Sequence, residues 1–210
     1  MKPDVKVKPG YWDKARRGLS RRDPVMAAII RRNPRVHLEP RGEPFHTLAR
    51  AIVGQQISVK AAQSVWNRFI DLVAVAAPEQ VLKATTKDLR ACGLSGRKCE
   101  YIGDLAQRFA DGKVQLHRWP DMSDDEVVAD LVQVRGIGRW TAEMFLMFNL
   151  LRPDVFPLDD LGLRKGIQLA YFKRPVSLKT MRKLGESWRP WRSVATWYLW
   201  RSLDPLPVEY

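Results

Sequence analysis

The sequence predicts an all-α protein. Nearly every apolar segment from Pro24 onward repeats at helical spacing, and strand-like alternation bounded by turn residues is hard to find. Ser, Thr, Pro and Gly also stand where helices begin and end. Residues 1–22 carry eight Lys or Arg against Asp4 and Asp13, broken by Pro3, Pro9 and Gly10, and read as a basic arm leading into a short helix. A charge run of this kind suits a solvated tail and a phosphate-contacting arm equally. Phe45 to Val53 (FHTLARAIV) forms one helix; Gly54-Gln55-Gln56-Ile57 interrupts it, and Ser58 caps a second helix running to about Leu72. Ala61, Val65, Phe69 and Leu72 make the buried face of that second helix. Pro78 and Thr86 open two short helices, and Gly93 closes the latter. Lys98 to Phe109 follows, with Ile102, Leu105, Ala106 and Phe109 on one face.

Ser123 and Glu126 have the spacing of a capping box and start a helix whose Val127, Val128, Leu131, Val132 and Val134 face inward, up to Gly136. A helix from Arg139 to about Leu151 precedes Pro153, and a proline-punctuated loop from Pro153 to Asp160 leads to a helix ending near Tyr171. The stretch from Ser177 to Ser202 adds two helices, the last opening at Pro190. No internal repeat or low-complexity tract appears.

A chain of 210 residues with 45% apolar content makes one medium domain or two tightly packed lobes. Its 36 basic against 23 acidic side chains leave a net charge of +13, which suits a polyanionic partner, nucleic acid ahead of an acidic membrane. Only Cys92 and Cys99 are present, too few for a disulfide framework, a four-cysteine iron–sulfur cluster or a zinc site of cysteines, and this fits a reducing compartment. His37, His46 and His117 lack the spacing of a catalytic zinc site. The longest uncharged apolar stretch, around Met144 to Leu151, falls short of the roughly 20 residues a bilayer span needs. With no signal-peptide core at the N-terminus, the expectation is a soluble, non-secreted protein without membrane attachment.

Leu131 to Ala142 reads LVQVRGIGRWTA: a helix, a tight turn with glycines two apart, and a second helix whose first amides point back at the turn. Gly136 and Gly138 allow positive φ and keep side chains away from those amides, so Gly136, Ile137, Gly138 and Thr141 form a candidate backbone site for phosphate. Such a grip ignores base sequence. A dinucleotide-binding turn would need a preceding strand and a third glycine where Thr141 stands. A plain helical corner, with glycines serving only the turn, fits the G-x-G alone equally well.

Twenty residues after Trp140 comes the second aspartate of VFPLDDL, Asp160. With that spacing the chain resembles the helix–hairpin–helix DNA glycosylases, and most closely their 3-methyladenine DNA glycosylase II branch. The resemblance rests on AIVGQQIS (51–58), GLSGRKCEYI (93–102), GIGRWTAEMF (136–145), DVFPLDDLGL (154–163) and WRPWRSVATWYLW (188–200), in order over roughly residues 20–205. It implies two helical lobes with a DNA cleft between them, which periodicity only permits. On that basis residues 1–22 are the basic arm and short helix, 23–44 with 155–210 one lobe, and 45–154 a central lobe carrying the hairpin at 123–151. The mixed sheet domain that precedes this fold in some relatives looks absent.

The resemblance also distributes roles. Breaking an N-glycosidic bond passes through an oxocarbenium-like sugar, which a carboxylate can stabilise while orienting or deprotonating water. Asp160 matches the family's catalytic aspartate and leaves Asp159 as a loop or capping residue. By position alone, Asp160 reads as a helix N-cap before Leu161. The two roles are compatible, since a helix N-terminus favours the charged carboxylate this chemistry needs. Trp140 stands where strand-cutting relatives place a Schiff-base lysine, so a monofunctional, water-using enzyme is expected; Lys98 and Lys165 do not match that site. Trp140 and Trp200 match the pocket aromatics, onto which a cationic alkylated purine can stack, and Met144 replaces a tyrosine of some relatives. Trp66, Trp188, Trp191 and Trp197 read as packing, with Trp12 and Trp119 unassigned. Flipping a base out leaves a gap, and Gln56 matches the inserting residue, with Gln55 as the neighbouring candidate and a polar helix end as the bland reading. Relatives can hold Na⁺ or K⁺ on hairpin carbonyls matching Val132, Val134 and Ile137; no cofactor is otherwise required and no catalytic metal is expected.

The expected function is therefore a monofunctional DNA glycosylase that excises alkylated purines in base-excision repair. It would act as a monomer on damaged double-stranded DNA, at the nucleoid in a bacterial cytoplasm or in a eukaryotic nucleus. A non-catalytic helix–hairpin–helix DNA-binding protein and a bifunctional oxidised-base glycosylase/lyase are the alternatives.

Overall fold

The structure, a computed structural model, describes residues 8–203; Lys2, Pro3, Asp4 and Lys6 of the expected arm lie outside them. Among the described residues there are twelve α-helices, one 3₁₀ turn and no strand, as the apolar spacing predicts. The chain forms two compact units, one built from residues 8–40 and 146–203 and the other from 41–145. These boundaries lie before those read from sequence, and the second falls inside a helix rather than in the proline-rich loop.

The terminal unit contains α1 (Trp12–Arg22), α2 (Pro24–Arg32), α10 (Leu161–Tyr171), α11 (Leu178–Glu186) and α12 (Arg192–Leu203). The short helix expected in the basic stretch is α1, and it is a core element, because Trp12, Ala15 and Leu19 are fully buried. Its basic side chains occupy the other face, as an amphipathic surface helix requires. Asp23 separates α1 from α2 and caps the latter, accepting Met26 N–H at 2.9 Å just before Pro24 at the first helical position. Its other oxygen accepts Tyr171 Oη at 2.7 Å and Trp188 Nε1 at 2.9 Å. The last helix, α12, is buried on every side from Ser193 to Arg201, so it is the central helix of this unit. It opens at Arg192, two residues beyond the expected Pro190.

The inserted unit runs from α3 (Pro44–Gly54) and α4 (Val59–Val73) through the short α5 (Pro78–Val81) and α6 (Thr86–Ala91) to α7 (Gly96–Ala110). After a 3₁₀ turn at Leu116–Arg118 it closes with α8 (Asp124–Leu131) and the first part of α9 (Arg139–Phe148). Leu48, Ile52, Phe69, Ile102, Leu105 and Leu131 form its fully buried centre. Trp119, unassigned by sequence, packs edge-on against Phe145 and donates its N–H to Asp130 at 2.8 Å. Ser58 caps α4 and the Ser123–Glu126 capping box opens α8, both as expected.

Two buried faces differ from the expected ones. On α4 the inward stripe is Val65, Trp66, Phe69 and Val73, while Leu72 is 40% exposed and Ala61 only half-buried. Trp66 causes the shift: its ring packs against Phe69 and His46 and turns the stripe round by one residue. On α8 the C-cap Val132 keeps a helical backbone and donates its N–H to the Val128 carbonyl at 3.0 Å, yet its side chain is 38% exposed. The following helix ends at Phe148 rather than near Leu151, whose φ of 51° is left-handed and whose carbonyl accepts Tyr11 Oη at 2.7 Å.

Candidate functional site

In the terminal unit the loop after Pro153 is tied down before it reaches Asp160. Arg192 grips Asp154 through Nε at 2.9 Å and Nη2 at 3.0 Å, and Nη2 also donates to the Asp154 carbonyl at 2.8 Å. Ser193, fully buried, donates to the Arg152 carbonyl at 2.6 Å and accepts Val155 N–H at 2.9 Å. Bidentate and buried contacts of this kind hold a loop in one conformation.

The two adjacent acids then part. Asp159 is exposed and pairs with Arg164 at 2.9 Å, whereas Asp160 is only 6% exposed. Asp160 is the N-cap of α10, accepting Leu163 N–H on Oδ1 at 2.6 Å. The same oxygen accepts the indole N–H of Trp200 at 2.8 Å. The cap read from sequence is therefore present, and the capping oxygen also holds the indole of Trp200. Sequence reasoning missed what permits the contact. A Cβ on Gly162 would stand 3.1 Å from Asp160 Oδ1 and 3.3 Å from Trp200 Nε1, and one on Gly166 would stand 3.2 Å from Leu199. The small residues at 162 and 166 let α12 come close enough for its indole to reach the carboxylate. Their four-residue spacing was the available signal. Trp200 also stacks on Phe148, with centroids 5.9 Å apart and 10° between planes.

In the inserted unit the hairpin turn is built as a tight corner. Gly136 has φ 84°, and a Cβ there would collide with the Tyr101 ring. Gly138 has no positive φ, contrary to the expectation for both glycines, and nothing lies within 4 Å of its would-be Cβ. Ile137 is buried and donates its N–H to the Val134 carbonyl at 3.1 Å, Thr141 is half-buried, and Ala142 N–H returns to the Gly138 carbonyl at 3.0 Å as α9 begins. Arg139 at the start of α9 bridges Asp125 and Glu143, each at 3.1 Å, and the Asp125 bond raises its pKa further. Trp140 is half-buried and Met144 buried in this unit.

The glutamine pair is separated by the fold. Gln55 Nε2 donates to the Gly136 carbonyl at 2.8 Å, so its side chain is turned to the hairpin. Gln56 is exposed and left-handed, with φ 58°, beside the exposed Ile57 and Val59. Lys98 is no free nucleophile: its Nζ donates to the Val53 carbonyl at 2.7 Å, and burial lowers its pKa. Lys165 is exposed on α10. Cys92 and Cys99 are buried free thiols. Among the described residues no group of three or more His, Cys, Asp or Glu is placed to hold a metal ion, and no helix is long and apolar enough to cross a membrane.

Comparison with known proteins adds a second line of observation. The profile of the family described as HhH-GPD superfamily base excision DNA repair protein matches residues 49–190. DNA-3-methyladenine glycosylase 1 of Schizosaccharomyces pombe is 35% identical over 165 residues, covering 76% of this chain and 72% of that protein. Among solved structures, a DNA-3-methyladenine glycosidase from Bacillus halodurans superposes with a TM-score of 0.81 at 32% identity, covering 97% of this chain and 90% of that one. A 3-methyladenine DNA glycosylase from S. pombe in complex with abasic DNA gives a TM-score of 0.75 at 32% identity, covering 94% and 99%.

Proposed function

This chain belongs to the HhH-GPD superfamily of base excision DNA repair proteins, and from that membership we propose that it is a monofunctional DNA glycosylase excising alkylated purines of the 3-methyladenine and 7-methylguanine type. The observation that carries the chemistry is the buried Asp160 carboxylate, oriented by the Trp200 indole and the Leu163 amide of α10. In the proposed reaction the bond between C1′ and the base nitrogen breaks, its electron pair leaves with the cationic purine, and the purine becomes neutral. Asp160 faces the positive charge left on the sugar and takes the proton of the water that adds to C1′. Because the alkylated base is already a good leaving group, little acid catalysis is needed. Trp140 and Trp200, with Met144, supply the aromatic and thioether surfaces for the extruded base.

DNA is held without regard to sequence by the hairpin amides around Gly136, Ile137, Gly138 and Thr141, and Gln56 fills the gap left by the flipped nucleotide. A monovalent cation on the Val132, Val134 and Ile137 carbonyls would share the Val134 oxygen with the Ile137 amide. It would bring positive charge to the turn facing the phosphates. The test is single-turnover incubation with a duplex containing 7-methylguanine. Released base with alkali-labile sites supports the proposal; strand cleavage without alkali would make the protein a lyase, and no release a DNA binder. Asp160→Asn is expected to lower the rate on the order of a hundredfold with DNA affinity nearly intact. An unchanged rate removes Asp160 from catalysis.

A further inference from the structure

Three stretches of the inserted unit that are far apart in sequence converge on the loop that presents Gln56. The chain leaves α3 with Gln55 at φ −57° and ψ 133°, followed by Gln56 at φ 58°, as at the two central positions of a type II turn. Glycine is the usual residue at the second of these, and a glutamine there is held against its backbone preference. Two donors do the holding. Lys98, in the first turn of α7, gives its ammonium to the carbonyl of Val53, one of the last four that α3 cannot satisfy internally. Gln55 gives its amide to the Gly136 carbonyl in the hairpin turn, against which Tyr101 packs from the next turn of α7.

We infer that Lys98 and Gln55 are positioning residues that keep Gln56 in the conformation from which its side chain enters the duplex. Lys98 fixes the end of α3, and Gln55 fastens the loop to the corner that grips phosphate. Removing either donor lets the residue at 56 relax to negative φ and withdraws its side chain. The inference rests on the glycosylase reading and on Gln56 as the gap-filling residue.

The experiment compares single-turnover excision of 7-methylguanine from two duplexes, one with the lesion paired to cytosine and one with it opposite an abasic site. In the second duplex the lesion has no partner to leave, so insertion matters less. Lys98→Met and Gln55→Leu are expected to lose about tenfold on the paired duplex, the scale of one hydrogen bond, while staying within about twofold of the parent protein on the unpaired one. Lys98→Arg, which keeps a cationic donor, should recover most of the rate. Thermal unfolding of each variant identifies any that fails to fold, in which case the other carries the test. Equal losses on both duplexes, or no loss on either, overturn the positioning roles. A parent protein that releases base from neither duplex overturns the glycosylase reading instead, and the inference falls with it.

Discussion

Gly162 stands under the contact between Asp160 and Trp200, close enough that a methyl group would press on both. Gly162→Ala gains up to about 1 kcal/mol of helix propensity on α10 but presses on a buried hydrogen bond worth about as much, so its melting temperature is expected to hold or fall slightly. The excision rate should nevertheless fall several-fold as the indole is pushed off the carboxylate; an unimpaired rate would show that the contact tolerates displacement. Gln56→Gly is the matching case in the inserted unit. It removes a left-handed glutamine, which should stabilise the fold by up to about 1 kcal/mol, while slowing excision from paired duplexes. Denaturant unfolding beside single-turnover kinetics separates the two effects. Asp160 was legible as a cap from the sequence, and as the proposed catalytic group only through the resemblance. Its partner was not, because Trp200 lies 40 residues away and no local pattern encodes a contact of that separation. Gln55 and Gln56 look alike in sequence; their different surroundings follow from the backbone turn between them.

Helix starts were the readable elements, since a cap acts within four residues of itself. The capping box on α8 carries the hairpin's first helix, with Ser123 and Glu126 each bonded to the other's backbone amide. Ser123→Ala is expected to cost about 1 kcal/mol of stability, read from the denaturant midpoint. The hydrogen bond from Ser123 lowers the Glu126 pKa below its ordinary 4.5. A depressed carboxylate stabilises the fold above its unfolded value and loses that contribution as pH falls through the folded one. Acid unfolding of Glu126→Gln should therefore lack this component, and a titration superimposable on the parent's would argue against it. Helix ends and faces were harder to read. Val132 and Leu72 were misplaced because which side of a helix is covered depends on its neighbours rather than on spacing, as Trp66 against Phe69 shows on α4. The short helix of the basic stretch was legible, but its burial was not, because it rests on three apolar residues among many cations, Trp12, Ala15 and Leu19.

For the molecule as a whole, the net charge of +13 predicts DNA binding that weakens steeply with salt. If about six phosphates are neutralised, affinity should drop roughly thousandfold between about 50 and about 200 mM monovalent salt, measured by fluorescence anisotropy. A flat dependence would mean that the basic surface is not the DNA footprint. The order of the two units along the chain has a further consequence. Residues 41–145 form a contiguous stretch, whereas the other unit is assembled from both ends. During synthesis the inserted unit can therefore fold while the chain is still emerging from the ribosome. Trp12, Leu19 and Met26 must wait for α12, made well after the inserted unit, before their apolar surface is covered. Nascent chains arrested before α12 should be bound by chaperones through α1 and α2, and a stop codon placed just before Arg192 should abolish accumulation of the protein as thoroughly as an early one.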